Sequence, residues 1–328
     1  MKRILFCLLA AALTALSAVA APSRSKTTSF HSPDGTITVG LTTGKGAVSF
    51  TVLKDGKAAF TLEDIRLDIG TESFPSGAVK VGKPRHMAGS FQPVVPLKFA
   101  TVHEDYNEIT LTLAKGVTLL LRVMDNGVAY RFVLDRKEEV EVFDDHFRFV
   151  PADGFTAHYQ TAESFNTSCE EPYRSGSLAG WSASDRPTAT IPLLLSRDSD
   201  DTQLLIGESD VDDYPKQFLK SDGTAILPTY PKSPLRWIPE GDRDEKIVEE
   251  APYIARTAGR RAFPWRWVAV TDSKGIIEQT LPAQLARRNV LEDVSWIHPG
   301  QFSWEWWNGA APYGPDVDFE AGCNLATY

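Results

Sequence analysis

Two short runs in this sequence carry residue types suited to binding or catalytic chemistry. Near the C-terminal end, Phe302-Ser303-Trp304-Glu305-Trp306-Trp307-Asn308 gathers three indoles, a carboxylate and an amide in one strand-length stretch. Pyranose rings stack their C–H faces on indoles, which bring a large apolar face and a polar edge, and a neighbouring amide such as Asn308 binds hydroxyls. In a strand, Trp304 and Trp306 share one face while Glu305 and Trp307 share the other. The second run, Ser168-Cys169-Glu170-Glu171-Pro172-Tyr173, sets an acidic pair in a segment without periodicity. A further acidic cluster, Asp210, Asp212 and Asp213, fits no EF-hand spacing and reads as a charged loop. Arg256, Arg260 and Arg266, interleaved with Phe263, Pro264 and Trp265, supply guanidinium forks suited to fastening one domain to another. The six histidines show no metal-pair spacing, and no Ser-His-Asp arrangement can be argued.

The elements that must position these groups are strands. From Gly35 to about Val150, apolar and polar residues alternate, as in Thr36–Leu41 and Ala47–Leu53, after which Asp55-Gly56 supplies a turn. Ile109–Leu113 and Val117–Val123 meet across Lys115-Gly116, and Asp125-Asn126-Gly127 turns the chain into Val128–Leu134 with the Asn-Gly pair that favours positive φ. This half is expected to be an antiparallel meander packed as a sandwich. The stretch from Gly154 to Asp185 reads as a long ordered loop. Strands resume at Ile191–Leu195 and Gln203–Gly207. A polar excursion covers Ser221 to Glu250, a last β run follows at Trp265–Val270, and Ile276–Asn289 is weakly helical around Pro282.

The N-terminus reads as an export signal: Lys2 and Arg3, an apolar run from Ile4 to Val19, then Ala18-Val19-Ala20. The expected product is exported to the periplasm or beyond, with no later segment apolar enough to span a bilayer. The formal net charge of −9 deepens once Lys2 and Arg3 are removed. Such a chain is repelled by phosphate backbones and anionic lipid surfaces, which argues against nucleic acid and membrane partners. Cys169 and Cys323 form no disulfide framework and no C-x-x-C pair.

Tyr253-Ile254-Ala255-Arg256-Thr257-Ala258-Gly259-Arg260-Arg261-Ala262-Phe263-Pro264-Trp265-Arg266, Asp293–Gly300 and Trp304–Asn308, supported by Asp213-Tyr214-Pro215, together resemble the N-terminal part of glycoside hydrolase family 97, exported α-glycosidases. The resemblance implies a mainly β fold: a galactose-mutarotase-like β-supersandwich followed by the first strand of a truncated (β/α)8 barrel. On that plan, residues 1–20 are a signal peptide, 21–288 the sandwich, and 289–328 a connector and the start of the catalytic barrel. A complete barrel takes about 250 residues, so the chemistry would come from a barrel this sequence only begins. The resemblance also implies a calcium ion beside the substrate with Glu170 as one ligand, Glu171 being the alternative. It further implies α-linked carbohydrate as the partner, with Trp306, Trp307, Asn308 and Thr190 facing it. Three functions remain in contention: a part of an α-glucosidase or α-galactosidase, a non-catalytic sugar-binding sandwich, or a secreted structural protein whose tryptophans are core.

Overall fold

The computed structural model of the protein describes residues 25–96, 98–241 and 244–301. Among these, 21 strands are joined by antiparallel hydrogen bonding into one continuous system folded as two facing layers, and a separate two-stranded hairpin stands apart. The first layer runs in spatial order Lys26–His31, Ile37–Gly44, Ala47–Lys54, Lys57–Ile69, Val140–Pro151, Ile226–Thr229, Phe218–Ser221 and Thr188–Ala189. The second runs Arg85–Phe91, Val102–Thr112, Val117–Met124, Gly127–Asp135, Trp265–Thr271, Thr202–Ser209 and Leu193–Arg197. One strand, Thr156–Ala162, belongs to both. Its first residues pair with Leu193–Arg197 and with Tyr173–Gly176, and Thr161 and Ala162 pair with Thr188–Ala189 of the other layer.

Period-2 patterning drives the packing. In Ile37–Gly44, buried and half-buried residues alternate without a break, as they must when one face of a strand meets a core. Phe50 of the first layer meets Tyr130 of the second edge-to-face at 6.2 Å, so the two inner faces share one core. Trp265–Thr271 is instead buried on nearly every residue. Its outer face is covered by the short helix Leu281–Leu285, whose Leu281 and Leu285 pack with Trp265, Trp267 and Tyr106. Pro282 sits in the first turn of that helix, where its missing N–H costs nothing.

Several expectations hold and others are corrected. The Asp55-Gly56 and Lys115-Gly116 turns both take positive φ. The third hairpin does not turn on Asn126-Gly127: Met124 pairs with Gly127, so Asp125 and Asn126 form the two-residue loop, and neither has positive φ. Gly127 is required for another reason, since a Cβ there would run into the Val268 carbonyl and the Leu281 side chain. The stretch taken as one loop from Gly154 to Asp185 contains Thr156–Ala162, Tyr173–Gly176 and the helix Leu178–Ser182. The Ser221–Glu250 excursion contains Ile226–Thr229 and the hairpin of Pro234–Glu240 with Asp244–Glu250. Strand pairing begins at Leu193, not Ile191. The expected barrel strand from Phe302 to Asn308 and the export signal lie outside the described residues.

Arg266 also departs from expectation. It is not a surface clamp but 4% exposed, between the layers. It donates to Asp145 of the first layer at 2.6 Å and to Glu208 of the second. Arg256 and Arg260 are exposed and pair with Glu141 and Asp135 of the same sandwich.

Candidate functional site

The strand shared by both layers ends at Ala162, and the segment 163–172 leaves it and returns as Tyr173–Gly176. Gln160, buried one residue before the strand changes layers, organises that excursion. Its Nε2 donates to the carbonyls of Cys169 and Glu171, both at 2.8 Å. Its Oε1 accepts from the Thr190 hydroxyl at 3.0 Å, and its backbone carbonyl accepts from the Thr190 N–H at 2.9 Å. A single amide thus brackets Glu170 on both sides. Cys169 takes a left-handed φ of 60°, and its N–H is capped by Thr167 Oγ1 at 3.2 Å. This conformation is uncommon for a residue with a Cβ and is held here by the surrounding bonds.

The two acids of the run are treated differently. Glu171 is committed: Arg186 Nη1 lies 2.9 Å from its carboxylate, and Glu163 approaches the same guanidinium at 3.8 Å, closing the loop at both ends. The Glu171 hydrogen bond and charge raise the Arg186 pKa above its usual value. Glu170 is exposed, and among the described residues no ion pair reaches it. Lys216 Nζ stands 3.5 Å from Cys169 Sγ and over the Phe218 ring, which Phe165 meets edge-to-face at 5.1 Å. Phe165 and Tyr173 are exposed beside the loop, giving this end of the sandwich aromatic faces next to a carboxylate.

Of the residues singled out from sequence, Glu170 and Thr190 are brought together, through Gln160. Thr190 is 3% exposed, with its hydroxyl engaged beneath the loop. Trp306, Trp307 and Asn308 lie outside the described residues. The Asp210, Asp212, Asp213 cluster is neutralised from within. Asp210 accepts from Arg131 at 3.0 Å and Arg287 at 2.7 Å, Asp212 pairs with Arg287 at 2.9 Å, and the Asp212 and Asp213 carbonyls accept from Arg261. Sequence reasoning missed Gln160 and Arg186, because an amide that binds backbone carbonyls leaves no pattern of partner side chains to find.

The donor set bears on calcium. Glu170 offers the hard oxygen such an ion takes, but a full shell needs six to eight oxygens. No group of three or more His, Cys, Asp or Glu suited to a metal occurs among the described residues. Glu170 by itself could supply one or two of them.

The fold is a large antiparallel β-sandwich with one ordered, acid-bearing loop at the strand where its layers join. Residues 30–287 match the glycosyl-hydrolase 97 N-terminal family, and the chain belongs to that family. It is similar to a retaining alpha-galactosidase of Bacteroides thetaiotaomicron, with 28% identity over 90% of this chain and 46% of the relative. The chain spans about half the length of the curated relatives it matches. Its fold resembles that of a glycoside hydrolase family 97 enzyme from Pseudoalteromonas sp. strain K8 in complex with acarbose: TM-score 0.66 and 20% identity, covering 83% of this chain and 40% of that one. A beta-arabinopyranosidase is also similar, with a TM-score of 0.60 and 20% identity over 75% of this chain and 40% of that one.

Proposed function

We propose that this chain is the N-terminal sandwich of an exported α-glycosidase and that it works with a catalytic (β/α)8 domain on α-linked oligosaccharides. The family match over residues 30–287 carries this reading. The similar proteins add to it: one is named a retaining alpha-galactosidase, and the Pseudoalteromonas enzyme binds acarbose. In this reading Glu170 contributes one carboxylate to a calcium ion at the substrate end. Gln160, itself held by Thr190, fixes the backbone on either side of it, while Arg186 keeps Glu171 from competing. Bound calcium would polarise substrate oxygens and fix their position. Trp306, Trp307 and Asn308 would stack on the sugar and bind its hydroxyls. Glycoside hydrolysis usually requires two carboxyl groups flanking the bond, about 5–9.5 Å apart, and the proposal assigns that pair to the barrel.

The test uses residues 1–328 produced alone. Aryl α-galactosides and α-glucosides with calcium should show no turnover, whereas turnover abolished by Glu170→Gln or Glu305→Gln would overturn the proposal. In calorimetry, Glu170→Gln should remove a weak calcium signal that Glu171→Gln leaves in place. Equal losses would assign the ligand role wrongly. Intact mass of the exported product should show cleavage after Ala20.

A further inference from the structure

Between the layers, a few polar side chains end in a mostly apolar cavity, and the strand ladders and the proposed function leave them unexplained. Gln217 is 0% exposed, and its backbone N–H donates to Glu208 at 3.0 Å. Neither atom of its side-chain amide has a protein partner among the described residues, and the same holds for Arg266 Nε and the Tyr130 hydroxyl. Gln217, Arg266 and Tyr130 line one cavity, whose remaining wall includes Phe50, Leu62 and Phe147. Buried polar atoms are almost always hydrogen-bonded, to protein or to ordered water, because leaving them bare forfeits their hydration without return.

Size and charge limit what the cavity can take. The space open to the centre of a water molecule is about 10 Å³, close to the minimum for one water and too small for a sugar or a cofactor. The Arg266 guanidinium in the wall disfavours a cation. Asp145 and Glu208, both bonded to that guanidinium, disfavour an anion. What fits is one small neutral molecule able both to donate and to accept.

We propose that this cavity is a built hydration site holding a single water. The water accepts N–H bonds from Arg266 and from the Gln217 amide and donates to the Tyr130 hydroxyl oxygen, within the two to four bonds such waters make. Gln217 precedes the Phe218–Ser221 strand of the first layer, whereas Tyr130 and Arg266 belong to strands of the second. The water therefore ties the layers together where no backbone ladder does.

A high-resolution crystal structure of the unmodified chain should show one ordered water within hydrogen-bonding distance of the Gln217 amide and Arg266 Nε. No density there, or a Gln217 amide bonded directly to Tyr130 or Arg266, overturns the proposal. Thermal unfolding of Tyr130→Phe, Gln217→Leu and the pair gives a second test. If the groups share one water, the second substitution lowers the melting temperature far less than it does alone; additive losses mean they share nothing. Should Gln217→Leu not fold, the crystallographic test decides.

Discussion

Arg260 and Arg266 lie on successive strands, Arg260–Ala262 and Trp265–Thr271, and both meet carboxylates, yet they do different work. Arg260 is exposed on the edge strand Arg260–Ala262 and bonds Asp135 at 2.8 Å in water. Arg266 is enclosed between layers, facing Asp145 and Glu208, with the Tyr214 and Tyr230 rings 5.9 and 5.4 Å from its guanidinium carbon. The same pairing is screened and dispensable in the first place and indispensable in the second, because removing one partner of a buried set strands the others without solvent. Geometry alone would have ranked the two pairs equal; burial separates them.

The sharpest way to break this comparison is Arg266→Ala. It leaves two carboxylates buried without a counter-charge, and urea unfolding should show a loss of about 3–5 kcal/mol. A loss no larger than that of a surface arginine would mean that water reaches the centre freely. An intermediate case sharpens the contrast. Gln160→Ala removes an uncharged buried side chain that makes three hydrogen bonds. The expected cost is about 1–3 kcal/mol, with faster amide exchange confined to residues 163–172. Exchange that stays slow would show that Arg186, not Gln160, orders the loop. The smallest effect belongs to Arg260→Ala, expected to change stability by less than about 1 kcal/mol and less still in high salt.

Much of the fold was legible because half-buried strands announce themselves by alternation. The Ile37–Gly44 and Val117–Met124 strands repeat apolar residues at every second position. The misreadings have physical causes. Phe218–Ser221 and Ile226–Thr229 are four residues each, too short for a period to show. The Pro234–Glu240 hairpin arm is exposed throughout, so its Leu235, Trp237 and Ile238 obey no buried-face pattern. Gly127 was assigned to a turn because glycine usually means positive φ; here it makes room for a neighbouring carbonyl instead. At the candidate site, Glu170 and Thr190 were named from resemblance, and the residue connecting them was not. Gln160 acts on main-chain carbonyls, and main chain is the one partner that a sequence does not distinguish from place to place.

The strand that serves both layers makes the sandwich behave as a bound book. Thr156–Ala162 is the spine, where backbone ladders run into both covers. At the far edge the covers touch through side chains, as where the Asn107 amide meets the His31 carbonyl at 2.8 Å. Any breathing of the covers would sweep its widest arc at that open edge and its narrowest at the spine. The loop bearing Glu170 is stitched to the spine through Gln160, so its backbone would move least of all if the covers opened.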